Sequence, residues 1–167
     1  MKGVKSMRNN NYRNYYYNRA YCNNMYMNKN RANILYIKDF GPEPFVINIS
    51  EATDQNDNFR TTLWTGEHLQ VTLMRIDVGD SVGLEQHPDT DQFIRVEEGM
   101  GLVQMGDSKE NLIFEKRVGE DFAVMIPAGK WHNIINIGKE PLKLYSIYAP
   151  PHHPKGTVQK TKLDEEH

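Results

Sequence analysis

Residues 83–93, Gly-Leu-Glu-Gln-His-Pro-Asp-Thr-Asp-Gln-Phe, set three polar donor side chains around one proline turn. Glu85 and His87 are two apart, so on an extended backbone both leave by the same face. Beyond the Pro88 turn, Gln92 opens the next apolar run and can return alongside them. Residues 126–133, Ile-Pro-Ala-Gly-Lys-Trp-His-Asn, repeat the device, with a Pro-x-Gly turn that aims His132 from a strand end. Glu85, His87, Gln92 and His132 can therefore converge. Two imidazoles and a carboxylate are the donor set of a non-haem iron type of site, with Gln92 as a neutral oxygen donor.

Outward from these turns the chain alternates short β-rich runs with turn signals. Strands are expected at Pro44–Ile49, Arg60–Trp64 and Leu69–Ile76, where Leu69, Val71 and Leu73 alternate with polar neighbours. Further strands are expected at Asp91–Val96, Gly101–Met105, Asn111–Phe114, Phe122–Ile126, His132–Ile137 and Leu142–Tyr148. Gly79-Asp80, Glu98-Gly99, Gly106-Asp107-Ser108 and Gly138-Lys139 supply turns between them. No long stretch carries a 3.6-residue period. The pattern predicts an all-β fold, an antiparallel sandwich or barrel.

The 167 residues hold 20 basic and 22 acidic side chains, and the balance of −2 hides a division. Residues 1–32 carry seven basic groups and no acid, +7, whereas the other 135 carry 13 basic and 22 acidic groups, −9. The same 32 residues contain nine Asn and six of the nine Tyr, with little aliphatic material to offset the entropy of ordering. Residues 1–37 are therefore expected to be a disordered basic tail, 38–155 the β domain, and 156–167 a charged C-terminal tail. The tail's readings are a solvated extension, a self-associating segment, or a contact for an anionic surface or single-stranded nucleic acid. The acidic body argues against a nucleic-acid-binding barrel. No run of 18 apolar residues predicts a membrane helix, and the basic N-terminus lacks the apolar core of a secretory signal. The single cysteine, Cys22, forms no internal disulfide and suits a reducing compartment, so a cytoplasmic location is expected.

The two turn segments resemble the paired motifs of the cupins. Gly79 to Gly99 is similar to the first motif, with Glu85 at the first His position, His87 at the second, Gln92 at the Glu position and Gly99 at the closing glycine. Pro127, Gly129, His132 and Asn136 are similar to the second, whose leading glycine falls on Asp121. The resemblance spans roughly residues 44–150 and implies a double-stranded β-helix, or jelly-roll barrel. It also implies a homodimer and one divalent transition metal (Fe, Mn, Ni or Zn) held by Glu85, His87, Gln92 and His132. Exchanging one His for Glu and the Glu for Gln leaves the ligand charge at −1. The resemblance implies a small polar ligand, sugar-like or carboxylated, and chemistry ranging from isomerisation and oxygenation to plain binding; no catalytic residue is assigned. The alternative is a structural surface protein, such as a spore-coat component, anchored by the tail.

Other residues read more plainly. Asp89 and Asp91 are turn residues or contacts supporting the site, and Asn136 supports strand packing. His68 is structural. His152-His153 reads as an exposed loop; overhanging the barrel mouth as an acid or base is its functional alternative. Trp64, Phe93, Trp131, Tyr145 and Tyr148 are core or pocket-lining aromatics.

Overall fold

The structure, a computed structural model, describes residues 35–165. The expected disorder of the basic tail and the role of Cys22 lie outside the described residues, apart from 35–37. Among the described residues nine strands follow one another: β1 (Arg60–Thr65), β2 (Gln70–Ile76), β3 (Asp91–Glu98), β4 (Gly101–Gly106), β5 (Phe114–Val118), β6 (Ala123–Ile126), β7 (Trp131–Asn136), β8 (Leu142–Ala149) and β9 (Val158–Gln159). They form a six-stranded sheet, ordered β6-β3-β8-β2-β1-β9, and a three-stranded sheet, β5-β4-β7, with every pairing antiparallel. This is the expected all-β jelly roll.

The register shows how the interior is divided. Across the large sheet, Ile76 faces Leu142, Met74 faces Leu144 and Leu144 faces Val96, and these apolar residues meet Val103, Val118 and Ile134 of the small sheet in one core. Further along the same inner face the cross-strand rows turn polar. Thr62, Thr72 and Ser146 make one row, and Gln70, Tyr148 and Gln92 the next. The polar alternates of β2, not Val71 and Leu73, thus line the interior. Val71 and Leu73 are covered from outside by an arm, residues 35–55, which lays Leu35, Ile37, Phe40, Ile47 and Ile49 onto Leu63 and Leu73. A bulge between Thr62 and Trp64 lets Leu63 join that outer cluster.

Two expected strands are corrected. No strand forms over Pro44–Ile49: residues 44–48 join no sheet, and Ile49–Gln55 forms helix α1, started by the Asn48 side chain accepting from the Glu51 N–H at 3.3 Å. The strand expected at Asn111–Phe114 instead begins at Phe114, because Asn111 closes a turn with Ser108. At the C-terminal end, Val158–Gln159 pair with Arg60–Thr61 as β9, and Lys162–Glu165 make a 3-10 turn. These residues complete the hydrogen bonding of the β1 edge, with Thr62 N–H donating to Thr157 O at 2.9 Å and Phe59 N–H to Lys160 O at 3.2 Å.

Candidate metal centre

The segment before β3 is zipped onto β7. Val82 N–H donates to Ile134 O (2.9 Å), Glu85 N–H to His132 O (3.0 Å) and His132 N–H to Glu85 O (2.9 Å), so backbone pairing fixes Glu85 beside His132. The Pro127–Gly129 turn is tied to the same segment, since Gly129 N–H donates to His87 O at 2.8 Å. Gly129 has φ +79°, a conformation that a residue with a Cβ adopts only under strain. Asp91 also holds this turn, accepting from Ala128 N–H at 2.8 Å.

This scaffold brings together three of the four expected donors. Glu85 Oε1 lies 3.3 Å from His87 Nε2 and 3.3 Å from His132 Nε2, and the three donor atoms all fall within 4.8 Å of one another. Both imidazoles are 2–3% exposed. His132 Nδ1 lies 2.9 Å from the Lys130 carbonyl, which can only accept, so Nδ1 carries a proton and Nε2 is the ring atom turned toward Glu85. Burial works to raise the Glu85 carboxyl, but its contacts with His132 and His87 and the charge of Arg60 outweigh this and hold it far below the usual carboxylate range. With Nδ1 committed to Lys130, Nε2 of His132 is the ring atom available to a cation beside the Glu85 carboxylate, 3.3 Å away. The donor set thus fits a divalent transition metal.

Gln92 is buried on β3 across from Tyr148, and its Nε2 donates to Ser146 Oγ at 2.7 Å. Its Oε1, buried and without a hydrogen bond among the described residues, is the atom left to face a ligand or a metal. Asn136 is structural: it donates to Ile76 O and Glu140 O and accepts from Gly138 N–H, each at 2.9 Å. His68 stands exposed beside Glu67.

His152 and His153 do not form a free loop. Their backbone N–H groups donate to Gln70 Oε1 (3.3 and 2.9 Å), while Gln70 Nε2 donates to His153 O (2.8 Å). Clamped in this way, the His152 ring lies 4.0 Å from the His87 ring and His153 sits edge-on to Tyr148 at 5.1 Å. Burial, then the charge of Arg60, pushes the His153 imidazole down to about 3, so it is neutral at pH 7. Sequence reading missed the clamp at Gln70 and the buried Arg60, which is 0% exposed with Nη1 donating to Gln159 Oε1 at 2.8 Å. The only signal for either was a polar residue at an alternate strand position.

The Cupin domain family matches residues 72–148. The chain is 60% identical over 130 residues to the uncharacterized protein YrkC of Bacillus subtilis, covering 78% of this chain and 70% of that protein. It is 37% identical over 115 residues to the uncharacterized protein L612 of Acanthamoeba polyphaga mimivirus, covering 68% and 70%. The crystal structure of BH2720 from Bacillus halodurans, 60% identical, superposes with a TM-score of 0.77 over 78% of this chain and 98% of that one. With its two-sheet fold and its glutamate-and-histidine group, the chain belongs to the cupin family.

Proposed function

We propose that this cupin holds one divalent transition metal through Glu85, His87 and His132, with Gln92 Oε1 as a fourth, neutral donor or as a hydrogen-bonding group for the ligand. The metal would serve a small polar molecule bound inside the barrel. The observation that carries the reading is the convergence of three donor atoms within 4.8 Å, two of them on nearly fully buried rings. Two imidazoles with one carboxylate suit Fe, Mn, Ni or Zn and leave coordination positions open. When bound, such an ion polarises a ligand oxygen or binds dioxygen. The residues of the chain contribute orientation and dryness: Lys130 O fixes the His132 tautomer, and the His152 ring covers one side of His87.

Elemental analysis of protein purified without chelator tests the reading, together with Glu85→Ala, His87→Ala and His132→Ala. Close to one equivalent of metal per chain is expected in the parent, and loss in each variant. A parent without stoichiometric metal, prepared under conditions that preserve iron, sinks the proposal. The resemblance also implies pairing of two copies, which sedimentation of the same preparation measures directly.

A further inference from the structure

The rings of His132, His87, His152, His153 and Tyr148 form one contiguous cluster, each within 5.8 Å of a neighbour, and only the first two belong to the metal-ligand set. The other side of that cluster holds polar atoms that the metal reading does not use. His153 Nε2 is buried and makes no hydrogen bond among the described residues, and the same is true of Thr72 Oγ1, on a residue that is 0% exposed. Thr72 lies on the inner face of β2, in the row beside Gln70 and Tyr148. A buried hydroxyl and a buried imidazole with nothing to bond are costly unless a ligand completes them. The sign of that ligand follows from the surroundings. Arg60 is buried, and its charge is the strongest acting on His153; it also acts on Glu85. Glu85, the acid of this cluster, is turned to the two imidazoles on the metal side.

We propose that His153 and Thr72, in the field of Arg60, form a carboxylate-binding subsite beside the metal position, so that the barrel takes a small carboxylic acid and not a neutral polyol. His153 donates its ring N–H and Thr72 its hydroxyl to the carboxylate oxygens. The Gln70 clamp on the backbone of residues 152 and 153 holds the imidazole at the required place. The proposal rests on the metal reading only for the far end of the ligand.

Calorimetric titration of the full chain, with its metal content measured, tests this with acetate, lactate and succinate against the neutral polyol erythritol. Saturable binding of at least one carboxylate and none of erythritol is expected. His153→Phe keeps the ring contact with Tyr148 but removes the donor, and should weaken that binding by about tenfold or more, with metal content unchanged. Thr72→Val, nearly isosteric, should weaken it by a smaller factor, and carries the test if His153→Phe does not fold. Erythritol binding as well as the acids, no binding by any of the three acids, or parent-like affinity in both variants overturns the subsite. If the parent holds no metal yet binds a carboxylate in a His153-dependent way, the metal reading fails and the subsite stands.

Discussion

Asp39 shows how much one carboxylate can organise in this chain. It lies just past the expected tail boundary and accepts from Gly41 N–H (2.9 Å), Thr65 N–H (3.1 Å), Thr65 Oγ1–H (2.5 Å) and Gly156 N–H (3.1 Å). It thus joins the arm, the end of β1 and the loop before β9. Burial works to raise its pKa, and the bonds from Thr65, Gly156 and Gly41 more than reverse this and lower it. A depressed carboxylate stabilises the fold above its unfolded pKa of about 3.9, and that contribution is lost as pH falls through the lower folded value. Asp39→Asn should therefore lower stability at pH 7 and flatten the loss of stability below about pH 4; urea unfolding at pH 7 and pH 3 measures both. Because the carboxylate is partly solvated, the cost at pH 7 is on the order of 1–2 kcal/mol. Single residues also mark how far the sequence could be read. The second cupin-like motif has Asp121 in place of its leading glycine, and Asp121 adopts φ +68°, in the left-handed region that glycine enters freely. Aspartate tolerates that region better than most residues do, so the motif's geometry survives its altered letter.

Among the elements, the strands around the site were legible and the arm was not. Glu85, His87 and His132 could be placed together because strand alternation and a Pro-x-Gly turn act locally. The arm depends on tertiary cover: Ile47 and Ile49 look like a strand until Leu63 and Leu73 are seen to need a lid. Asn48 followed three residues later by Glu51 was the available helix-start signal, and seven residues are too few to show a 3.6-residue period. Since α1 is short, its cap matters more than its propensity. Asn48→Ala should cost about 1 kcal/mol, and Asn48→Asp about nothing, in denaturant unfolding. A loss in the alanine variant beyond about 2 kcal/mol would mean that Asn48 supports more than the helix start. The His152–His153 strap illustrates the same limit. Its approach to His87 is set by Gln70, 82 and 83 residues away in sequence, and no local pattern announces a clamp of that span.

In the whole molecule, metal binding at the proposed ligands would couple the site to the fold. Glu85 and His132 are backbone-paired across the segment that packs Val82 into the main core, while His87 is tied to the Gly129 turn. An ion bound by all three would therefore link the pre-β3 segment to β7 in the folded chain and bind the unfolded chain far less. Binding to the native state alone adds RT ln(1 + [M]/Kd), about 2.7 kcal/mol when free metal stands at 100 times Kd. For a domain of this size that corresponds to a melting shift of roughly 10 °C. Scanning calorimetry of the metal-loaded chain before and after chelator should show a fall of that order. Glu85→Gln removes the one ligand charge with little change in shape, so it should melt near the chelated parent and show little response to chelator. His68→Ala, on an exposed residue outside the proposed ligand set, should keep the full response. The pH dependence has a defined sign, because protons compete with metal for both imidazoles. The chelator-sensitive part of the stability should shrink as pH falls, while Glu85, held far below the usual carboxylate range, stays ionised over most of that interval. Equal chelator-induced shifts in the parent and in Glu85→Gln would place the stabilising ion elsewhere and remove the link between this site and the fold.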